Sequence, residues 1–110
     1  MPDFLVSIDT SGVFALPAAE RADVVARERD AGRELIAEGV IQKIWRIPAQ
    51  HRNIGVWTVP DADALHRVLT GLPIFPYAEF DVTALSTHPL YSDDYGGLIG
   101  PGSEEGRTQQ

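Results

Sequence analysis

The chain contains no cysteine, and this absence excludes several kinds of site at once. Without thiols there is no disulfide, no thiolate nucleophile and no cysteine-ligated zinc or iron–sulfur centre. Basic residues are also scarce, because nine Lys and Arg stand against sixteen Asp and Glu, for a net charge of −7. Nucleic-acid binding needs basic patches that neutralise phosphates, so we expect no nucleic-acid partner. An anionic small molecule would need a local cationic site.

Long apolar runs are missing as well. No stretch approaches the roughly 20 residues that a membrane-spanning helix needs, so we expect no membrane partner. The start of the chain, Met1-Pro2-Asp3, has neither the basic nor the apolar region of a secretory signal. Together with the absence of cysteine, these features predict a cytoplasmic protein.

The residues that are present predict one domain over 1–91, followed by a tail. The tail, 92–110, has five glycines and a polar end, so we expect it to be flexible or to contact a partner. Before it, apolar alternation and β-branched residues predict four strands, and a 3.6-residue apolar period predicts two helices. The strands are expected at 4–8, 40–47, 53–59 and 78–84, and the helices at 18–38 and 62–71.

Three residues mark where the predicted helices begin and end. Pro17 is placed to occupy the first helical position, where proline loses no needed hydrogen bond. Gly39 is suited to stop that helix in the left-handed conformation. Asp61 is a suitable N-cap for the second helix.

The element order βαββαβ predicts an α+β fold of the ferredoxin-like type. Two helices would cover one face of a four-stranded antiparallel sheet. The other face would not be polar either. Trp45 and Val56 are apolar, and so is a strand neighbour of each, which points to the opposite face. A chain of this size cannot cover both faces, so we expect an oligomer, a bound ligand, or both.

Glu28 is the side chain that most clearly indicates chemistry. It falls on the apolar face of the first predicted helix, which also carries Val24, Ala31 and Leu35. Partial burial would raise its pKa and make it a better proton shuttle near neutral pH. From the residues alone, a structural ion pair with Arg46 or another cation is an equally good interpretation.

Five segments, taken in order, resemble the muconolactone delta-isomerase family over roughly residues 20–90. The most specific segment is Leu72-Pro73-Ile74-Phe75-Pro76-Tyr77. The others are Trp45-Arg46-Ile47, Asn53 to Pro60, Leu65-His66 and His88-Pro89.

This resemblance implies a cofactor-independent enzyme of aromatic-compound breakdown that moves a proton on an unsaturated lactone. The small-molecule substrate would be muconolactone or a related lactone, and the assembly would be a homo-oligomer such as a decamer. The alternative is a dimeric α+β barrel that binds a small molecule, or a cofactor-free oxygenase or cyclase. A site lined only by Trp45, Trp57 and Phe80 would favour that alternative.

The resemblance also assigns roles to particular residues. Glu28 matches a family Glu ten residues before a Glu-Gly helix end, which favours the proton shuttle. Arg46 belongs to the shared Trp-Arg pair and would hold the substrate carboxylate through its two-donor fork. One of His51, Tyr77 and His88 would then polarise the lactone.

The remaining features are a possible polar contact, an excluded metal site and a departure from the family. Asn53 matches the family and would position a polar substrate group or shape the start of its strand. The three histidines have no metal-ligand spacing, so we expect no metal site. Ser7 stands where the family has a first-strand basic residue, which predicts weaker binding of an anionic substrate.

Overall fold

The computed structural model describes residues 1–91, and the predicted tail lies outside them. These residues form four strands and two α-helices in the predicted order. In chain order they are β1 (Asp3–Asp9), α1 (Ala18–Ala37), β2 (Ile41–Arg46), β3 (Arg52–Thr58), α2 (Ala62–Thr70) and β4 (Glu79–Leu85). Among the described residues, neither helix is long and apolar enough to cross a membrane.

The four strands form one antiparallel sheet in the order β2-β3-β1-β4. This strand order with two crossover helices is the ferredoxin-like arrangement, so the predicted α+β fold is confirmed. Strand β1 lies in the interior of the sheet, between β3 and β4. Its Phe4, Val6 and Ile8 are all buried under the helices, because alternate side chains of a strand point to the same face.

The buried core lies between the helices and one face of the sheet. Trp57 and Val6 are its most deeply buried large side chains, and each is no more than 1% exposed. Helix α2 contributes Leu65 and Leu69, which are spaced one helical turn apart and therefore point the same way. The loop after α2 adds Leu72 and Ile74, which hold that loop against the core.

The predicted helix ends are confirmed at two of three positions. Gly39 ends α1 with a φ of 80°, a conformation that glycine adopts without steric cost. Asp61 caps α2 by accepting a hydrogen bond of 2.8 Å from the backbone N–H of Ala64. Pro17 is not the first helical residue, because its ψ of 149° is extended and the helix begins at Ala18.

A 3₁₀ helix, Ser11–Ala15, forms where the sequence predicted only an interruption between β1 and α1. Its first residue is held by Asp9, whose Oδ1 accepts hydrogen bonds from the backbone N–H and the hydroxyl of Ser11. Those bonds lower the pKa of the Asp9 carboxyl. Val13 is 1% exposed, so this short helix is anchored in the core.

The face of the sheet opposite the helices, here called the open face, carries an apolar group of side chains. These are Leu5, Trp45, Ile54, Val56 and Leu85, of which Trp45 is 48% exposed and Leu85 40% exposed. Within residues 1–91 no helix covers this face.

Ser7 also lies on the open face, where its hydroxyl accepts a hydrogen bond of 2.8 Å from Arg52. Within one chain Ser7 therefore does not face the site formed under the helices, and the weaker binding of an anionic substrate stays a prediction. Alternation along β1 turns Ser7 away from the side that Ile8 faces.

Candidate active site

The carboxyl group of Glu28 reaches from α1 towards the loop that follows α2. Its Oε1 accepts a hydrogen bond of 3.1 Å from the backbone N–H of Ile74. No ion pair forms between Glu28 and a basic side chain within residues 1–91. The structural ion pair with Arg46, one of the two interpretations that the sequence left open, is thus not present in the described chain.

Burial raises the pKa of the Glu28 carboxyl above its ordinary value, and the hydrogen bond from Ile74 opposes part of that rise. The cause is desolvation, which penalises the charged form. A half-buried carboxyl without a cationic partner is therefore a better proton shuttle than a fully solvated one, because its pKa is shifted towards neutral pH.

Glu28 lines a cleft of about 200 Å³ between α1 and the end of the sheet. The apolar wall comes from Val13 and Phe14 of the 3₁₀ helix and from Val24 and Val25 of α1. A second cavity of about 320 Å³ continues beneath α1 and shares four residues with the cleft. The shared residues are Ile8, Glu28, Arg29 and Asn53.

Three neighbouring strands form the floor of the cleft. Ile8 of β1, Asn53 of β3 and Arg46 of β2 lie side by side, since Asn53 pairs with both of the others. Side chains directly opposite each other on paired strands lie roughly 5 Å apart at Cβ. Arg46 is the last residue of its strand rather than a central one, so its side chain reaches the exposed mouth of the cleft.

Arg29 is a second cationic side chain in the cleft, and nothing in its sequence context distinguishes it. It follows Glu28 on α1, a helix that carries several other exposed arginines, so its residue type alone does not mark it as a site residue. Arg27 and Arg33 on the same helix form ion pairs with Asp23 and Asp30. Within the described part of the chain, neither Arg29 nor Arg46 forms an ion pair, so both guanidinium groups are available to an anion.

Asn53 is the one polar side chain of the floor that has no charge. Its Oδ1 is buried and has no hydrogen-bond partner among residues 1–91. Buried amide oxygens are nearly always satisfied, so this atom calls for an explanation. The sequence match had marked Asn53 for either a substrate contact or a role at the strand entrance, and its side chain lies in the cleft.

His51 lies at the rim of the cleft. Its ring stacks on that of Phe14, with centroids 4.0 Å apart and planes inclined by 26°. The backbone carbonyl of His51 accepts hydrogen bonds from the backbone N–H and the hydroxyl of Thr10. These contacts hold the β2–β3 hairpin loop against the 3₁₀ helix, so the exposed imidazole borders the opening.

Tyr77 and His88 are not among the residues that line the cleft with Glu28. Tyr77 belongs to a short 3₁₀ turn, Phe75–Tyr77, and borders a separate depression beside Asp9 and Gly12. His88 follows β4 and is exposed, and its Nδ1 accepts a hydrogen bond of 3.0 Å from the backbone N–H of Leu90. Within one chain, the structure therefore brings together Glu28, Arg46 and, at the rim, His51.

This arrangement combines a carboxyl group of raised pKa with two guanidinium groups and apolar walls. Such a site can hold a small anion and move a proton within it, because the base lies in the cleft while the cations lie towards solvent. The cleft contains both Glu28 and Arg46, which favours proton transfer over simple apolar binding.

Comparison with known proteins agrees with this chemistry. The family described as Muconolactone delta-isomerase matches residues 3–90. A Muconolactone Delta-isomerase of Cupriavidus pinatubonensis is 37% identical over 86 residues, which are 78% of this chain and 94% of that protein. One from Acinetobacter baylyi is 34% identical over 86 residues, covering 78% of this chain and 90% of that protein.

A solved structure also matches this chain. The crystal structure of muconolactone isomerase at 3.3 Å resolution superimposes with a TM-score of 0.72 and 33% sequence identity. The match covers 83% of this chain and 97% of that one. The chain described here therefore belongs to the muconolactone delta-isomerase family.

Proposed function

We propose that this protein is a cofactor-independent isomerase that converts muconolactone, or a closely related unsaturated lactone, to 3-oxoadipate enol-lactone in the breakdown of aromatic compounds. The observation that carries the proposal is Glu28, a half-buried carboxyl of raised pKa in a cleft that also holds Arg46. Family membership supplies the reaction, and this geometry supplies groups suited to it.

Glu28 would act as the proton shuttle. Its carboxylate takes the proton from the ring carbon next to the double bond, and the electron pair of that C–H bond moves through the ring onto the lactone carbonyl oxygen. The resulting dienolate becomes the enol-lactone when Glu28 returns the proton to the carbon two bonds away, which neutralises the charge on the carbonyl oxygen. A single carboxyl group can serve both steps, because no proton is gained or lost overall.

Arg46 would hold the substrate's carboxylate, and Arg29 would add positive charge on the opposite wall. Both guanidinium groups line the cleft. A planar guanidinium fork matches a carboxylate with two parallel hydrogen bonds. Two local cations would also offset the repulsion between an anionic substrate and a chain whose net charge is −7.

His51 is the first candidate to assist at the lactone ring, since it stacks on Phe14 at the rim of the cleft. Tyr77 and His88 lie apart from Glu28 in the single chain, so a role for either would require a neighbouring subunit to contribute it. The apolar open face supports a homo-oligomer, and the resemblance to the family favours a decamer. We place the enzyme in the cytoplasm, where such catabolism takes place.

The decisive experiment is to incubate the purified protein with muconolactone and follow enol-lactone formation. Glu28→Gln should lower kcat by roughly 10²–10⁴-fold, because the amide cannot exchange a proton. Its Oε1 can still accept the Ile74 hydrogen bond, so the fold should persist. Glu34→Gln, an exposed change on the same helix, is the control and should retain full activity. Full turnover by Glu28→Gln would reject Glu28 as the shuttle, and no turnover by the unmodified protein would reject the proposed function.

A further inference from the structure

Asn53 is a half-buried polar residue with a buried Oδ1, and the proton shuttle and the carboxylate anchor leave it without a role. Its Oδ1 has no hydrogen-bond partner within residues 1–91, and no hydrogen bond there involves its amide nitrogen. A buried amide oxygen without a partner is costly, so it is expected where a bound molecule completes the hydrogen bonding. The amide group can turn about its last side-chain bond and exchange the positions of Oδ1 and Nδ2, so the same place can present the N–H donors to a ligand oxygen.

The position of Asn53 matches what the reaction requires. It lies on the floor of the cleft directly beside Arg46, its cross-strand partner, and it lines both the cleft and the cavity beneath α1. Glu28 approaches the same space from α1 above. A substrate whose carboxylate is held by Arg46 would therefore lay its ring over Asn53 and present one ring face to Glu28.

The reaction also needs a donor at this place. When Glu28 removes the ring proton, negative charge develops on the lactone carbonyl oxygen. A preorganised hydrogen-bond donor aimed at that oxygen stabilises the transition state more than the substrate. The guanidinium groups of Arg46 and Arg29 lie nearer to solvent and serve the carboxylate, whereas Asn53 offers an uncharged amide on the floor of the cleft.

We propose that Asn53 is a catalytic residue whose side-chain amide donates a hydrogen bond to the lactone carbonyl oxygen and stabilises the dienolate formed by Glu28. This inference rests on the proposed isomerase function and adds the group that bears the developing charge. The amide neither gains nor loses a proton in the step, since it only strengthens one N–H···O bond as the carbonyl oxygen becomes negative.

Asn53→Ala and Asn53→Asp test the proposal. The aspartate has the same shape but, when ionised, offers an acceptor in place of the donor. Removing one such donor is expected to lower kcat by roughly 10²–10³-fold. Gln42→Ala, which removes an exposed amide on β2 that bonds only to the Gly39 carbonyl, is the matched control and should keep the activity of the unmodified protein.

A saturated lactone that bears the same carboxymethyl group separates binding from catalysis, because it cannot form a dienolate. Its inhibition constant should change by less than about threefold in Asn53→Ala while kcat falls. The proposal is overturned if kcat is unchanged, or if the inhibition constant weakens as much as kcat/KM falls. Turnover of muconolactone by the unmodified protein is measured first, so that absent activity is assigned to the proposed function and not to Asn53.

Thermal unfolding provides a second, independent readout. An unsatisfied buried amide that serves a ligand does not help the free protein, so Asn53→Val should raise Tm while abolishing most activity. A structural role predicts the reverse, namely a lowered Tm with turnover largely kept, and that result would overturn the proposal. Asn53→Val suits this test because a β-branched side chain is favoured in a strand.

Discussion

The carboxyl of Glu28 has one hydrogen-bond donor and no cationic partner among the described residues. Its pKa is raised, so the folded protein holds this proton more tightly than the unfolded chain does. The corresponding stabilisation is fully present below the ordinary value of 4.5 and is lost as the pH rises through the raised pKa. An ionised Glu28 is therefore a cost to stability that the site carries for its chemistry.

Glu28→Gln should remove this pH dependence. As the pH rises from 4.5 through the raised pKa of Glu28, the free energy of unfolding of the unmodified protein should fall relative to that of the variant, because only the carboxyl must ionise in a half-buried place. Denaturant titrations at a series of pH values measure the difference. If the free energies of unfolding of the two proteins remain parallel across this range, burial does not perturb the pKa of Glu28.

Arg46→Lys tests the carboxylate anchor. Lysine keeps the charge but loses the planar two-donor fork. The loss of one charge-assisted hydrogen bond costs about 1.5 kcal/mol, so KM for the anionic lactone should rise roughly tenfold with little change for its neutral ester. Arg27→Lys, at an exposed arginine paired with Asp23, is the control. Equal changes in KM for the acid and the ester would remove Arg46 from this role.

Individual residues show where prediction from sequence stops. Glu28 could be found because an isolated carboxylate on an apolar helix face conflicts with the local pattern. Asn53 could be noticed only through family likeness, since an amide in a strand is unremarkable until its buried oxygen is seen to lack a partner. Family likeness marked Ser7 as a departure without saying which face it occupies, although strict alternation with Val6 and Ile8 already implied the face opposite to theirs.

The secondary-structure elements were predictable because their signals are local. Apolar periodicity and the cap at Asp61 located both helices and all four strands to within a few residues. The 3₁₀ helix Ser11–Ala15 was missed, since it depends on packing between distant segments. A Cβ at Gly12 would stand 2.2 Å from the carbonyl oxygen of Tyr77, so glycine is needed for this close approach.

Gly12→Ala should therefore destabilise the protein. The new methyl group meets backbone rather than a flexible side chain, so the two short 3₁₀ segments must separate, at a cost of about 1–3 kcal/mol. Phe14 forms part of the cleft wall, so activity should fall with stability. Denaturant unfolding and turnover of the same sample measure both effects, and unchanged values would show that the segments adjust freely.

Gly32→Ala is the matched comparison within α1. A Cβ at Gly32 meets nothing within 4 Å, and its φ is not in the left-handed region. Alanine should then stabilise the helix by about 0.5–1 kcal/mol. If the free energy of unfolding falls for Gly12→Ala and rises for Gly32→Ala, the steric requirement for glycine is separated from the general cost of glycine in a helix.

At the scale of the whole molecule, the helices cover only one face of the sheet. The open face carries Trp45 and Leu85, both exposed, beside the half-buried Leu5, Ile54 and Val56. Antiparallel sheets commonly leave one face to solvent, but that face is then polar. An apolar group of this kind is typical of a surface that associates with another chain.

Trp45→Glu should weaken a homo-oligomer that forms through the open face. A carboxylate placed among apolar side chains would have to be buried without a partner on association, which is strongly unfavourable. Sedimentation should show a large assembly for the unmodified protein at micromolar concentration and smaller species for the variant. Circular dichroism should be unchanged, because Trp45 contributes nothing to the core beneath the helices.

Ile36→Glu makes the same chemical change on the other side of the molecule, at a side chain of α1 that is 51% exposed. If the open face is the interface, this variant keeps the assembly that Trp45→Glu loses. Dissociation by Ile36→Glu alone would instead place the contact on α1. A monomer for the unmodified protein would contradict the oligomer altogether, and the active site would then have to be complete within one chain, without Tyr77 or His88 from a neighbour.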